Sequence, residues 1–395
     1  MGGCITAAHY VTLVNKKGNY FFQRALLFYQ YKIKELIMNL NTSNNTSFQG
    51  RYSLSNYKAC LKGGAIGDAM GWPIEFERIE HIKSRFGKDG IQDLLINSKG
   101  QAEITDDTQM TMFTADGLIK AARKSLNLDQ MPDMQTVFDS YKLWLNTQFS
   151  KTIQKGEGWI AELKDLYASR APGNTCLSAI RGNKPGSIAT PINNSAGCGG
   201  VMRVAPAGLM YKDNPELAFK VGAECAALTH SHPRGYLPAG VLSEMIAHIV
   251  NGKNVDEAVT ATLKTLEKYD NHEPVTNLMK QAQKLAKSEV NPEDAIKQLG
   301  EGWVGDEAIA ISSYCAMKEP ENFAKAVKMA VNHSGDSDST GAILGNILGA
   351  HLGIEKIPSK WLKKVELSDE LGQLAKDLYV KPQEIKNAAK RYPID

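Results

Sequence analysis

The chain has 395 residues, 43% of them hydrophobic. That is enough to bury a substantial core, as one large domain or two modest ones, and it excludes disorder of the whole. The net charge is only +3, and Lys16, Lys17, Arg24, Lys32 and Lys34 stand against Glu35 alone in residues 1–50, so the rest is close to neutral. Such a body has no basic face to displace counterions from a duplex, and nucleic acid is not an expected partner.

In chain order, residues 1 to about 37 contain an aromatic and basic stretch, Tyr20 to Lys34, whose spacing suits an amphipathic helix. Residues 39–56 (NLNTSNNTSFQGRYSLSN) are polar and turn-rich and read as a linker. The expected organisation is therefore an extension with its linker over 1–56 and a compact domain over 57–395. Met38 offers an alternative start of translation.

Within the domain the apolar spacing is helical: Met112, Leu118 and Ile119; Phe138, Tyr141 and Leu145; Leu217, Val221 and Ala227. Strand-like alternation is scarce, and Gly-, Pro- and Asn-rich loops such as Gly182 to Gly200 separate the helices. An all-α domain with functional loops is predicted. The six cysteines, Cys4, Cys60, Cys176, Cys198, Cys225 and Cys315, are dispersed and form no CxxC pair. Free thiols in a reducing, cytoplasmic compartment are expected. No run of about 18 apolar residues occurs, so no transmembrane segment is expected.

Two acidic clusters carry the chemistry. Thr105-Asp106-Asp107-Thr108 precedes a helical run over Gln109 to Ala122, and His333-Ser334-Gly335-Asp336-Ser337-Asp338-Ser339-Thr340 precedes another helix. Helix capping alone explains each, with Thr105 as cap and the acids complementing the helix dipole. Together they also suit two hard cations such as Mg2+, which take carboxylate and hydroxyl oxygens and sit about 3.5–4 Å apart in two-metal hydrolytic sites. Gly341, Gly345 and Gly349, four residues apart, leave one face of the second helix nearly bare for close packing.

With these residues in place, the sequence resembles the ADP-ribosylglycohydrolases from about Cys60 to Gly353. The resemblance rests on ordered motifs: Gly63-Gly64-Ala65-Ile66-Gly67-Asp68-Ala69-Met70-Gly71 followed by Glu75, Thr105 to Thr108, Ser195 to Arg203, Leu228-Thr229-His230, and Gly335 to Gly341. It implies an orthogonal helical bundle with a binuclear Mg2+ site, Mn2+ being an alternative. The implied metal ligands are Thr105, Asp106, Asp107, Asp336, Asp338 and Ser339. Glu75, Asp107 and His230 are the implied catalytic residues, Glu75 as gate or general base.

The loop Ser195-Ala196-Gly197-Cys198-Gly199-Gly200 resembles a pyrophosphate-binding segment, so Ser195, Gly197, Cys198 and Gly199 are expected to meet substrate, with backbone N–H groups approaching phosphate oxygens. Cys198 replaces an asparagine found in some relatives. Trp303 is expected to pack a base face at the adenosine end. The implied activity is removal of ADP-ribose from modified protein side chains, arginine being favoured by the form of the Asp-Ser-Asp and Thr-His-Ser-His segments. A binding role stands beside it: occlusion of an ADP-ribosyltransferase toxin through residues 1–56, as in immunity-type members with such extensions.

Overall fold

A computed structural model describes residues 53–394. The amphipathic helix expected over Tyr20 to Lys34, and the linker up to Tyr52, lie outside the described residues. Residues 54–56, read as the end of the linker, are instead helical. Ser53 caps the helix by accepting from the Ser55 N–H, and Asn56 donates to the Ala350 carbonyl at 2.7 Å, so this turn is tied into the domain.

Among the described residues there are seventeen helices and no strand; two isolated bridges, Ala102 with Val365 and Gly197 with Val304, complete the backbone pairing. In order they are α1 Leu54–Gly71, α2 Ile79–Phe86, α3 Asp106–Ser125, α4 Met134–Phe149, α5 Asn174–Arg181 and α6 Ala205–Met210. There follow α7 Pro215–Ala227, α8 Pro233–Val250, α9 Val255–Leu266, α10 Glu273–Ala286, α11 Pro292–Leu299 and α12 Gly305–Lys318. The last are α13 Phe323–Val331, α14 Ser337–Leu352, α15 Ser359–Leu362, α16 Ser368–Tyr379 and α17 Ala388–Arg391. The all-α expectation holds, and the three apolar segments fall on α3, α4 and α7. None of these helices is long and apolar enough to cross a membrane.

The centre of the fold is the antiparallel pair α1 and α14. A Cβ placed on Gly67 would lie 1.9 Å from the Gly341 carbonyl oxygen, one on Gly63 2.5 Å from that of Gly345, and one on Gly71 2.2 Å from that of Ser337. The bare face of α14 therefore packs against a second stripe with the same four-residue spacing on α1. Backbones meet where side chains ordinarily stand between helices, and lost dispersion contacts are recovered from the main chain itself. The register has a consequence for function: the end of α1 lies beside the start of α14.

Around this pair, α3 is buried along most of its length, and Phe113, Tyr141 and Trp144 fill the space between α3 and α4. Helices α7, α8, α12 and α13 close the other sides, each burying an apolar stripe. The described cysteines are all free thiols, as expected.

Candidate active site

Three chain segments converge because two contacts fix them. The glycine contact brings Glu75, just past α1, to Asp336 and Asp338 at the start of α14. The second contact runs through Asp68, wholly buried on α1. Its carboxylate accepts from the Thr105 N–H at 3.0 Å, the Thr105 hydroxyl at 2.8 Å, the Thr108 N–H at 3.1 Å and the Thr108 hydroxyl. It thus satisfies the first-turn donors of α3 and holds Asp106 and Asp107 against α1.

Asp68 stands in the glycine-rich motif, yet nothing in its spacing announced this role. Asp68→Ala would strand two backbone N–H groups and two hydroxyls in the core. A loss of about 3 kcal/mol in unfolding free energy is expected, from the usual cost of unsatisfied buried donors. Denaturant titration checks it, and an unchanged midpoint would refute it.

Capping and chemistry use the same residues. Thr105 caps α3 through the Asp107 N–H, and Asp336 caps α14 through the Ser339 N–H at 3.2 Å. One oxygen from each of Glu75, Asp336 and Asp338 lies within 4.8 Å of the others. With Asp106, Asp107 and Ser339 they line a cleft of about 300 Å³. Thr105 does not line it: its hydroxyl donates to Asp68 and accepts from Asp107, leaving a single lone pair for any further partner.

Burial, reinforced by Asp336 and Asp106, pushes the Glu75 carboxyl up to about 8. Burial and the neighbouring carboxylates likewise hold Asp106, Asp107 and Asp338 well above the ordinary aspartate range. Even Asp68, with four donors, is raised to about 6 because burial outweighs them. So many desolvated acids cannot all ionise unless cations join them.

The atoms that would meet a cation are identifiable. Asp107 Oδ2 and Glu75 Oε2 are buried and have no hydrogen-bond partner. An all-oxygen set of carboxylates with orphaned atoms suits a divalent ion of the Mg2+ or Mn2+ type.

Gly197, Cys198, Gly199 and Met202, from the loop that leads to Arg203, line the same cleft. The loop packs tightly there, since a Cβ on Gly199 would lie 3.0 Å from the His230 ring and 3.1 Å from Cys176 Sγ. Cys198 lies half-buried with Sγ 2.6 Å from Asp336 Oδ2, on the carboxylate side, and burial holds its thiol well up. Ser195 stands behind the loop, paired with Thr175 at 3.0 Å, and outside the cleft lining.

Beneath the loop the Arg203 guanidinium is fully buried with no carboxylate partner. It donates to the Cys225 carbonyl at 3.0 Å and Thr229 Oγ1 at 2.7 Å, and it lies 4.4 Å from the Tyr141 ring centre. A buried cation answered only by neutral groups leaves positive potential under a glycine loop, which favours an anion above it.

His230 lines the cleft and is held neutral: burial, then Arg203, pushes its pKa down to about 3. Its Nδ1 lies 2.8 Å from Thr229 Oγ1, whereas the Ala226 carbonyl is 3.4 Å from that hydroxyl. With Arg203 occupying one lone pair, the Thr229 proton goes to Nδ1, and Nε2–H becomes a fixed donor. Thr229→Val frees the tautomer. A roughly tenfold loss in kcat/KM is expected, about the 1.4 kcal/mol of one such hydrogen bond. Nitrogen chemical shifts of the ring would report the tautomer directly, and a ring unchanged in T229V would refute the relay.

At the mouth, Phe76 and Trp303 stack with ring centres 5.1 Å apart. Phe76 adopts φ +67°, uncommon for an aromatic residue, and donates its N–H to the Gly335 carbonyl. Trp303 is held by Nε1–H to Glu301, which also pairs with Arg78 at 2.7 Å. Trp303 thus stands beside the Glu75 segment. Sequence reading missed Phe76 and the Ala171–Cys176 stretch, where the Gly173 N–H donates to Asp106 Oδ2 at 3.2 Å. The Pro172-Gly173 turn before α5 was the available signal.

A helical protein whose buried carboxylates share a cleft with an anion-favouring glycine loop has the makings of a hydrolase for anionic substrates. The comparisons sharpen that class: the ADP-ribosylglycohydrolase family model matches residues 51–388, and the chain belongs to that family. It is 27% identical to the ADP-ribosyl-[dinitrogen reductase] glycohydrolase of Rhodospirillum rubrum, over 78% of this chain and 89% of that protein. It is 25% identical to the ADP-ribosylarginine hydrolase Tri1 of Serratia proteamaculans, over 84% and 81% respectively. A solved ADP-ribosylglycohydrolase-related protein complex shares the fold, with TM-score 0.56 and 20% identity over 84% of this chain and 99% of that one.

Proposed function

We propose that this protein is a metal-dependent hydrolase that releases ADP-ribose from modified arginine side chains. The observation that carries it is the shared cleft: buried acids with orphaned oxygens beside a glycine loop next to a guanidinium that has no carboxylate partner. The names of the arginine hydrolase relatives support the linkage.

Asp106, Asp107, Asp336 and Asp338, with Ser339 and the remaining lone pair of Thr105, would hold two Mg2+ or Mn2+ ions. Such ions neutralise the acids and supply charge stabilisation for breaking the bond at the anomeric carbon. The residues of the chain do the rest. The Gly197–Gly199 loop seats the pyrophosphate above Arg203, and the neutral His230 offers Nε2–H to a sugar or phosphate oxygen. Glu75 takes a proton from attacking water at Oε2, the atom left without a partner. Phe76 and Trp303 cover the mouth and limit bulk water.

The test is incubation of the purified protein with arginine- and serine-ADP-ribosylated substrates, with and without Mg2+. Release from the arginine substrate with Mg2+ alone is expected; release from neither substrate would leave the binding reading. That second reading keeps one observation in its favour: the family match begins at residue 51, so the basic aromatic stretch is outside it. If residues 1–56 occlude an ADP-ribosyltransferase, deleting residues 1–52, which leaves the cap and first turn of α1 in place, abolishes binding to the transferase while hydrolysis persists. Binding undiminished by the deletion would end that idea.

A further inference from the structure

We infer that Cys198 gives this metal site a sulfur donor, so that the site accepts a thiophilic divalent cation of the Zn2+ or Cd2+ class through a mixed thiolate and carboxylate set. The inference rests on the metal reading of the acidic cluster and goes beyond it. An all-oxygen site favours hard ions, whereas a cysteine beside one of its carboxylates shifts preference toward softer ones.

The geometry is specific. Cys198 Sγ is a direct neighbour of Asp336 Oδ2, so one carboxylate of the cluster already has a sulfur beside it. The same sulfur is 3.6 Å from Ser339 Oγ, and Met202 Sδ is 3.8 Å from that hydroxyl. Two sulfurs therefore flank the side of the cluster formed by Asp336 and Ser339. The buried Asp107, whose Oδ2 has no partner, lines the same cleft as Cys198 and supplies an independent sign that a ligand belongs there.

The backbone makes the placement rigid. The Cys198 N–H donates to the Trp303 carbonyl at 3.1 Å, and the Gly305 N–H to the Ala196 carbonyl at 2.9 Å, so the loop is paired to the segment leading into α12. The Asp336 N–H donates to the Glu301 carbonyl at 2.8 Å, which anchors the facing carboxylate to the same segment. Binding replaces the thiol proton: the S–H bond breaks, a sulfur–metal bond forms with the sulfur's electron pair, and the proton leaves to solvent. No oxidant is needed. The expected consequence is competition, with Zn2+ displacing the hard ion.

The remaining described cysteines, Cys60, Cys176, Cys225 and Cys315, are wholly buried, so Cys198 alone among them is half-exposed in the cleft. A Cys4→Ser background removes the one thiol outside the described residues. In that background, Cd2+ titration of the full chain should produce the ultraviolet charge-transfer band of one cadmium–thiolate bond, and excess Mg2+ should bleach it. Cys198→Ser should lose the band and bind Cd2+ at least about tenfold more weakly by calorimetry, with Mg2+ affinity nearly unchanged. Should C198S fail to fold, alkylation of the parent chain serves: saturating Cd2+ should protect Cys198 from iodoacetamide, as mapped by mass spectrometry.

Calorimetric Cd2+ binding without the band, or alkylation unaffected by Cd2+, overturns the sulfur donor and leaves the oxygen site standing. Absence of binding by both Mg2+ and Cd2+ overturns the metal reading with it.

Discussion

Asp107→Asn should abolish ADP-ribose release while making the metal-free protein more stable. The two effects share one cause. Asp107 is buried with Oδ2 unpaired, and its carboxyl is held well above the ordinary range by burial and then by Asp68, Asp106, Asp336 and Glu75. An amide of the same shape removes a charge that the fold opposes, so the cost of crowding acids falls. On the proposed function it also removes a metal ligand, and a loss of about a thousandfold or more in kcat is then expected from deleting a principal electrostatic element. A variant with undiminished turnover, or one that melts lower than the parent in chelator, would contradict this account.

The same crowding dictates the pH dependence of stability. Where the folded carboxyl pKa lies above the unfolded one, the folded state binds more protons, so stability falls as pH rises between the two values. For Glu75 that window runs from the ordinary 4.5 to about 8, and for Asp68 from 3.8 to about 6. In chelator the melting temperature should therefore drop from pH 5 to pH 8. Adding Mg2+ at pH 8 should restore it, because the ion replaces the protons. A melting temperature flat across that range, or indifferent to Mg2+, would mean that the acids are not coupled as described.

Gly67→Ala should be the most damaging of the small substitutions. Its Cβ would fall 1.9 Å from the Gly341 oxygen and 2.2 Å from the Gly341 carbon, both backbone atoms, so the two central helices must separate. About 3 kcal/mol or more of stability is expected to be lost, at the upper end of overpacking costs. Because the same contact sets Glu75 against Asp336, any folded fraction should also bind metal more weakly. Gly372→Ala on α16 is the control: the added Cβ meets only the flexible end of Lys62, at 3.1 Å, and Ala raises helix propensity. Equal losses in the two variants would show that the glycine contact is not special.

The acids and the helices were legible because both are local. Apolar spacing placed α3, α4 and α7, and hydroxyls and acids just before helical runs marked the starts of α3 and α14, where the open N–H groups must be met. Glu75, His230 and the Gly197–Gly199 loop were reached by resemblance rather than spacing, and the structure brings all of them to one cleft with Asp106, Asp107, Asp336 and Asp338. Phe76 could not be foreseen, since its stacking on Trp303 joins residues far apart in the chain. Cys198 was read from its neighbours in sequence as part of a phosphate loop, while its sulfur rests on Asp336.

The sequence by itself determined which residues could carry charge and where helices begin, because capping, apolar period and side-chain chemistry act within a few residues. Only the tertiary structure decided what those residues do together. The α1–α14 register sets Glu75 beside Asp336, and the Asp68 carboxylate ties α3 to α1. Burial raises the acids to the point where a cation is wanted. Each of these depends on desolvation and on contacts between distant segments, and neither quantity is written in local spacing.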